Sequence, residues 1–275
     1  MLIKVLLENT SISEEVDSEH GLSLYIETAQ GCKILFDTGS SALFSRNAEK
    51  MGVKLAEVDL GFLSHGHFDH GGGLSEFLKI NSAAPFYVHP RSFEERYGRQ
   101  PDGSYKYIGI APELAQENRL LFTQEYQVLE TGLELFSNVQ GDKLVPTSNK
   151  DLLKKVGDTY QEDDFLHEQN LVILEGEQKV LIAGCAHRGI INILEAFYQR
   201  YQCWPTQVLG GFHLSNPMGG AAVDQEMVQQ IAEFLLSTGS QYYTGHCTGQ
   251  PAYAVLKEIM GDKLDYLAGG SVWEF

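Results

Sequence analysis

The sequence is short of positive charge, of cysteine and of long apolar runs. Its 20 lysines and arginines stand against 37 aspartates and glutamates, and the formal net charge of −17 argues against nucleic acid or an anionic membrane surface as the main partner. Four irregularly spaced cysteines do not indicate a disulfide framework. No segment reaches the roughly 18 apolar residues of a membrane helix, and the N-terminal run lacks the features of a signal peptide. We therefore expect a cytoplasmic protein, with its oligomeric state left open.

What the sequence does contain is an alternation of short apolar strands and helices. The predicted strands are 2–7, 22–28, 33–36, 59–64, 85–89, 171–175, 179–183, 206–211, 241–244, 264–268 and 271–274, and the predicted helices are one ending near residue 50, 74–80, 189–200, 223–237 and 250–260. At 275 residues the chain can bury a substantial core. Because no linker, repeat or low-complexity tract interrupts the pattern, we expect one domain of the α/β class over residues 1–275.

Residues 91–165 form a polar segment rich in aromatic residues, which we interpret as a possible lid or insert. Its predicted elements are short strands near 119–130 and 133–137 and a loop over 141–164. Four cations of its first part are Arg91, Arg96, Arg99 and Lys106. Lying among tyrosines, these cations suit a phosphorylated or aromatic ligand. Neighbouring carboxylates nearly cancel their charge, however, so a solvated surface loop is the favoured interpretation.

The hexapeptide HGHFDH at residues 65–70 brings together four potential metal ligands between an apolar run and a glycine cluster. Imidazole nitrogen and carboxylate oxygen are donors that Zn²⁺, Mn²⁺ and Fe²⁺ accept. At the end of a strand His65 and His67 can share one face, and Asp69 and His70 can serve a second ion after the chain bends. Burying three imidazoles and a carboxylate without a metal would be costly. The hexapeptide therefore predicts a metal centre.

Three later strands also end in glycine and then present histidine or cysteine. These residues are Cys185 and His187 after 179–183, His213 after 206–211, and His246 after 241–244. Open α/β architectures place their chemistry at such strand ends. A single histidine there is more often structural, but three repeats of the arrangement beside HGHFDH favour a shared site.

With the upstream ILFDTG at 34–39 and the downstream GGGL at 71–74, the HGHFDH motif resembles the metallo-β-lactamase superfamily, and the likeness covers nearly the whole chain. The stretches EHGLS, GCAHRGIINI, GGFHL and GHCTG resemble its subfamily of dihydropterin-methyl-ribofuranosylaminobenzene phosphate synthase-like hydrolases. The resemblance implies a four-layer αβ/βα sandwich with a site for two divalent metal ions at one edge of the sheets. Zinc is the expected metal, with manganese and iron as alternatives.

The resemblance also implies a ligand for each metal position in the hexapeptide. His65 and His67 would hold the first ion, and Asp69 and His70 the second. His246 stands where the last histidine ligand of the superfamily lies.

The remaining ligands are less regular. His167 matches the histidine that precedes the strand at 171–175. Many members carry Gly-Asp at 184–185, with an aspartate that bridges both metals, whereas this chain has Gly184-Cys185. The Cys185 thiolate can ligate zinc, or His187 can take that position instead. His213 corresponds either to a ligand or to a histidine that transfers a proton.

Residues next to the ligands have predicted supporting roles. Asp37 ends a buried strand and is expected to orient a ligating histidine, with a simple turn-opening role as the alternative. Arg188 and Gly189 lie at a predicted helix start and form a candidate anion-binding site. His20 and His89 are interpreted as structural.

These residues predict a metal-dependent hydrolase that acts on a small anionic metabolite, with a phosphorylated one favoured. Two metals can activate a bridging hydroxide as the nucleophile, with Asp69 orienting it and His213 or His187 protonating the leaving group. A phosphoester or phosphodiester is favoured over a lactone or thioester. The alternatives are the pterin-related condensation that the subfamily name implies, a metal- or ligand-binding regulator without turnover, and a di-iron redox protein.

Overall fold

Strands and helices alternate along the parts of the chain that the computed structural model describes, residues 1–215 and 223–275. The strands are β1 Leu2–Leu7, β2 Ser23–Glu27, β3 Lys33–Phe36, β4 Leu60–Phe62, β5 Phe86–Val88, β6 Arg96–Arg99, β7 Tyr105–Tyr107, β8 Leu120–Phe122, β9 Tyr126–Glu130, β10 Leu133–Ser137, β11 Leu152–Val156, β12 Thr159–Glu162, β13 Gln169–Glu175, β14 Gln178–Ile182, β15 Gln207–Leu209, β16 Gln241–Thr244, β17 Leu264–Tyr266 and β18 Val272–Glu274. The helices are α1 Leu43–Lys50, α2 Phe68–Gly71, α3 Leu74–Ile80, α4 Ile190–Tyr201, α5 Gln225–Thr238 and α6 Gln250–Met260. Within these ranges no helix has the length and apolarity needed to cross a membrane.

Two seven-stranded sheets carry the fold. The first has the order β18-β1-β2-β3-β4-β5-β8, and the second has the order β17-β16-β15-β14-β13-β10-β9. In the first sheet β3, β4, β5 and β8 are parallel, and in the second β14 to β17 are parallel. Parallel strands end at the same edge of a sheet, so the residues that follow β3, β4, β14, β15 and β16 are delivered to one edge.

Three apolar clusters define four layers. Side chains from the facing sides of both sheets form one cluster, which includes Phe36, Phe62 and Leu171. The outer face of the first sheet packs on α1 and α3, and the outer face of the second packs on α4, α5 and α6. The order helices, sheet, sheet, helices confirms the predicted α/β class and αβ/βα sandwich.

A third sheet of four strands, in the order β12-β11-β6-β7, corrects the predicted loop over 141–164. Strands β11 and β12 both fall within that range and pair with each other. Their residues are largely exposed and polar, so the alternation of apolar and polar side chains that marks a half-buried strand is missing. The Tyr105 ring on β7 stacks on the Tyr160 ring on β12 at 4.1 Å, and this contact links the two outer strands of the third sheet.

The segment 91–165 is therefore distributed over all three sheets. Strand β8 extends the first sheet, β9 and β10 belong to the second, and the remaining four strands form the third. The third sheet lies close to the edge where the parallel strands end, because Ile108 after β7 and Leu152 at the start of β11 reach the pocket at the metal centre.

Candidate metal centre

The ends of strands from both sheets bring the predicted ligands to one place. His65 follows β4, Asp69 and His70 lie on the short helix α2, and Cys185 and His246 follow β14 and β16. All five are almost completely buried. His187, which also follows β14, is buried beside them, and two pairs of imidazole nitrogens face each other in this cluster.

The first facing pair is His65 and His187, whose Nε2 atoms lie 3.3 Å apart. The Asn149 Oδ1 atom accepts the Nδ1 proton of His187 at 3.0 Å, and the orientation of this amide is fixed because Asn149 Nδ2 donates to the His187 carbonyl. The Ser64 hydroxyl donates to Asp37, which leaves its oxygen to accept the Nδ1 proton of His65 at 2.9 Å. Both Nε2 atoms therefore carry lone pairs that point toward each other.

The second facing pair is His70 and His246, with Nε2 atoms 3.1 Å apart. The Asp37 carboxylate accepts the Nδ1 proton of His70 at 2.6 Å. Asn9 Oδ1 accepts the Nδ1 proton of His246 at 2.9 Å, while Asn9 Nδ2 donates to the His246 carbonyl. Here too the two Nε2 lone pairs converge.

Facing lone pairs in a buried site favour a cation between them, because two neutral imidazoles with these proton positions cannot donate to each other. In a tetrahedral zinc site, two nitrogens that bind the ion at its usual distance lie about 3.3 Å from each other. Both observed separations are close to this value. The Cys185 Sγ atom lies 3.1 Å from His70 Nε2 and groups equally with the pair of His65 and His187, within 4.8 Å. The donor set thus fits divalent metal ions at two adjacent positions with a sulfur between them.

Asp69 adds a carboxylate oxygen to the second pair. Its Oδ2 atom lies 3.3 Å from His246 Nε2 and 3.7 Å from His70 Nε2. A third histidine, His20, approaches the same oxygen with its Nε2 at 3.1 Å. Burial raises the pKa of Asp69, but the neighbouring histidines outweigh it and hold the pKa well below its usual range. Asp69 is therefore present as a carboxylate.

The His67 ring lies next to both His65 and His167, at 4.6 Å and 5.3 Å between ring centroids, and its Nε2 has no hydrogen-bond partner among the described residues. His167 differs, because its Nδ1 accepts the Gly66 N–H at 2.8 Å. A neutral imidazole whose Nδ1 is an acceptor carries its proton on Nε2, and that atom lies 3.4 Å from the Asp163 carboxylate. His167 in this arrangement has no lone pair left for a metal.

His213 has no hydrogen-bond partner for either ring nitrogen within the described part of the chain, although the residue is buried. Its ring lies 4.2 Å from that of His187, and the Ser148 hydroxyl donates to its carbonyl at 2.6 Å. Burial, with a smaller contribution from His246, lowers the pKa of His213 to about 3. The site therefore contains a neutral imidazole with a free donor and a free acceptor.

Burial and neighbouring charges keep three of the candidate histidines neutral, the form that can bind a metal. Burial lowers the pKa of His65, His67 and His187 well below the ordinary value, and the clustered imidazoles lower it further. The pKa of His70 is raised instead, because the Asp37 and Asp69 carboxylates outweigh the effect of burial. Burial, together with Cys247, raises the pKa of the Cys185 thiol well above its ordinary value. A coordinating cation removes such a proton, so metal binding at Cys185 is coupled to proton release.

Arg188 and Gly189, the predicted anion site, are placed differently from the ligands. The Arg188 guanidinium donates to the carbonyls of Val139, Asp164 and Gly141 at 3.1 to 3.4 Å. Gly189 precedes α4 and has φ +85°, a conformation that favours glycine. Neither residue lines the pocket at the metal centre.

That pocket, which we call the inner pocket, has a volume of about 60 Å³. One wall consists of ligands and their neighbours, including His67, Asp69, Cys185 and His213, and the opposite wall is apolar. The apolar wall is formed by Phe68, Ile108 and Leu152. The pocket is large enough for only a few water-sized groups beside the ligands.

Sequence reasoning misses several residues that support the site. His20 is not merely structural, and its motif EHGLS, which resembles a family motif, is the signal that could have found it. Asn9, Ser64 and Asn149 give no signal, because a hydrogen bond to a distant histidine leaves no local pattern. Glu168 is also missed: it accepts the backbone N–H groups of His187 and Arg188 at 2.6 and 3.0 Å, and burial raises its pKa to about 7.

Comparison with known proteins supports the same fold. The family model described as the metallo-beta-lactamase superfamily matches residues 17–226. The chain is 27% identical over 276 residues to 7,8-dihydropterin-6-methyl-4-(beta-D-ribofuranosyl)-aminobenzene-5'-phosphate synthase of Methanocaldococcus jannaschii, covering 94% of this chain and 90% of the relative.

Two solved structures extend the comparison. A metal-dependent hydrolase of the beta-lactamase superfamily aligns with a TM-score of 0.83 and 28% identity, over 100% of this chain and 99% of that chain. A diphosphatase of the PhnP family aligns with a TM-score of 0.54 and 12% identity, over 100% and 97% of the two chains, and shares the fold.

Proposed function

Because the chain belongs to the metallo-beta-lactamase superfamily, we propose that it is a hydrolase with two divalent metal ions. One observation carries the proposal. In each of two buried histidine pairs the Nε2 atoms face each other, at 3.3 and 3.1 Å, and a thiol and a carboxylate lie beside them. Zinc is the proposed metal, because imidazole and thiolate together suit it.

In the proposed assignment His65, His67 and His187 hold the first ion. We prefer His187 to His167 as the third nitrogen, because the Nδ1 lone pair of His167 is occupied by the Gly66 N–H. His167 then acts behind the site by fixing the backbone next to His65. This assignment gives a role to both Cys185 and His187 of the motif GCAH.

Asp69, His70 and His246 hold the second ion, with Cys185 between the two positions. The distances from Asp69 Oδ2 and His246 Nε2 to His70 Nε2, 3.7 and 3.1 Å, support this grouping. Asp37 and Asn9 fix the proton positions of the two histidines, a supporting role that outer residues commonly take at metal sites.

When bound, a pair of divalent ions activates water and polarises the substrate oxygen. Asp69, held as a carboxylate by His20, orients the attacking water by accepting a hydrogen bond. His187 has no proton to give, since its Nδ1–H is engaged by Asn149. His213 is therefore proposed to donate a hydrogen bond from the N–H of its neutral imidazole to the leaving-group oxygen, because both of its ring nitrogens are free of hydrogen bonds to the described residues.

The proposed substrate class is a phosphoester or phosphodiester of a small metabolite. Divalent ions in a narrow buried pocket attract an anionic reacting group, and the metal-binding wall of the inner pocket has room for little more than that group. The apolar wall of Phe68, Ile108 and Leu152 suits the carbon atoms next to the reacting bond.

A condensation is the second candidate, favoured by the named synthase to which this chain is similar over almost its full length. In that reaction the same residues would hold an anionic reactant rather than direct a water. The two candidates differ in whether water is consumed, so one set of assays separates them.

The test is metal content by mass spectrometry on protein purified without chelator or added metal, with bis(p-nitrophenyl) phosphate hydrolysis assayed on the same sample. About two metals per chain and turnover that is lost in His67→Ala are expected. His89→Ala is the matched control, because His89 accepts the Arg91 N–H outside the facing pairs.

Two metals without hydrolysis of phosphodiesters, lactones or thioesters would overturn the hydrolase proposal. Product formed from a dihydropterin and a ribofuranosylaminobenzene phosphate would then establish the condensation. No metal even after supplementation would overturn both candidates.

A further inference from the structure

A second cavity, which we call the outer cavity, meets the inner pocket at His213. It has a volume of about 450 Å³, within the range of small-molecule sites, and His213 lines both spaces. The inner pocket, at about 60 Å³, cannot hold more than the reacting group. A larger substrate needs additional space, and the outer cavity adjoins the inner pocket at His213.

Two cations of the outer cavity, Arg99 and Lys150, have side chains without an ion pair or hydrogen bond to any described residue. Other cations of segment 91–165 are engaged. Arg91 pairs with Glu94 at 2.8 Å, and buried Arg96 pairs with Asp163 at 2.9 Å. In a chain with a formal charge of −17, two such cations facing one cavity are available for an anion.

Two hydroxyl groups and two carboxylates are further polar groups of the lining. Thr147 and Ser148 contribute hydroxyls, and Asp151 and Asp224 balance the formal charge of the cations. The Asp224 carboxylate accepts the Met227 N–H at 3.0 Å as the N-cap of α5, so part of its charge is compensated by the helix. The lining therefore combines hydroxyl groups and balanced charges with the apolar side chains of Pro146, Leu214, Met227 and Val228.

The turn at residues 147–151 connects the outer cavity to the metal centre. Ser148 donates to the carbonyl of His213, and the next residue, Asn149, binds both the ring and the carbonyl of His187. Lys150 follows directly and lines the outer cavity. One short turn thus fixes two histidines of the site and one of the two cavity cations.

We propose that the outer cavity is a substrate subsite in which Arg99 and Lys150 bind an oxyanion, a phosphate or carboxylate, at the end of the substrate remote from the reacting bond. This inference rests on the proposed hydrolysis and deepens it, because it names a second anionic group as a requirement for good substrates. Arg99 and Lys150 act on specificity and do not touch the reacting atoms.

The experiment compares three p-nitrophenyl phosphodiesters whose second ester group is butyl, 4-carboxybutyl or 4-phosphonobutyl. Wild-type protein should show a KM at least tenfold lower for an anionic diester than for the butyl diester. Arg99→Ala and Lys150→Ala should each raise that KM about tenfold, the effect of one lost charge-assisted hydrogen bond, with kcat nearly unchanged. The KM for the butyl diester should not change.

Arg46→Ala is the matched control, because Arg46 is an exposed cation on α1 that lines neither cavity. The 4-carboxybutyl and 4-phosphonobutyl arms decide between carboxylate and phosphate as the preferred oxyanion. Equal KM values for all three diesters in the wild type, or equal losses for all three in the variants, would overturn the subsite.

A binding measurement separates failure of the subsite from failure of the hydrolysis. Calorimetric titration with butane-1,4-diyl bisphosphate and with butyl phosphate needs no turnover. One outcome is that no diester is hydrolysed, that the bisphosphate binds about tenfold more tightly than butyl phosphate, and that Arg99→Ala and Lys150→Ala each abolish this difference. The subsite then holds and the hydrolase proposal fails. Turnover without any preference among the diesters would support the hydrolase and overturn the subsite.

Discussion

Replacing Asp37 by asparagine should reverse the proton positions of two histidines, His65 and His70, that we propose as metal ligands. The Asp37 carboxylate accepts from His70 Nδ1 and from the Ser64 hydroxyl, and Ser64 in turn accepts from His65 Nδ1. An asparagine that keeps its oxygen on the Ser64 N–H presents an N–H to both of these partners. His70 must then accept at Nδ1, and the Ser64 hydroxyl must turn toward His65.

The magnitude follows from the hydrogen bonds that this reversal breaks. Keeping the Nε2 lone pair of either histidine would leave a buried N–H without an acceptor, which costs about 1 to 3 kcal/mol. That cost corresponds to about a 5- to 150-fold loss of metal affinity at each position. Because Asp37 serves His70 directly and His65 through Ser64, both positions should weaken together.

The assay is competition for zinc between the protein and a chromogenic chelator, with thermal unfolding of the metal-free protein to separate binding from folding. Ser64→Ala is the matched variant, since it removes only the branch to His65 and leaves the Asp37–His70 hydrogen bond. It should weaken the first position alone. Two metals bound to Asp37→Asn with wild-type affinity, or a loss confined to one position, would refute this reasoning.

Three further expectations concern single groups. His213→Ala should lower kcat about 100-fold with metal content unchanged, because it removes the imidazole N–H that is proposed to stabilise the leaving group, and His89→Ala in the same assay serves as control. Cys185→Ala should reduce zinc affinity whereas Cys247→Ala should not, measured by chelator competition; equal zinc affinity in both variants would exclude the thiolate as ligand. In metal-free protein the pKa values of His213 and His246, about 3 and 4, lie below the unfolded value of about 6.5. The free energy of unfolding should therefore be highest above pH 6.5. As the pH drops toward 4, it should fall by up to about 1.4 kcal/mol per pH unit for each of the two residues. Urea midpoints that stay constant over this range would contradict the prediction.

Local pattern accounts for the features that sequence alone predicts. The motif HGHFDH concentrates its ligands in six residues, and apolar strands that end in glycine mark Cys185 and His246 without knowledge of their neighbours. Helices α3 and α6 match their predicted bounds because each is preceded by glycine and carries a buried apolar stripe. The four layers follow once the parallel strands are recognised.

Contacts between distant segments account for the features that sequence alone misses. The third sheet depends on pairing Arg96–Arg99 with Leu152–Val156, two segments that β7, β8, β9 and β10 separate along the chain. The role of His20 depends on a loop that returns to Asp69, and Asn9 and Asn149 act through single hydrogen bonds. None of these contacts produces a periodicity, so only the three-dimensional arrangement reveals them.

The proposed metal ions also act as links between the two halves of the sandwich. His65 follows a strand of the first sheet and His187 a strand of the second, while His70 and His246 divide in the same way. A supporting hydrogen bond also joins the two halves, because Asn9 of the first half binds the ring of His246 of the second. The apolar core between the sheets does not depend on these contacts, since Phe36, Phe62 and Leu171 pack in a separate cluster. Metal binding is therefore coupled to the closure of one edge rather than to formation of the fold, and the histidines can be held in position by hydrogen bonds before an ion arrives.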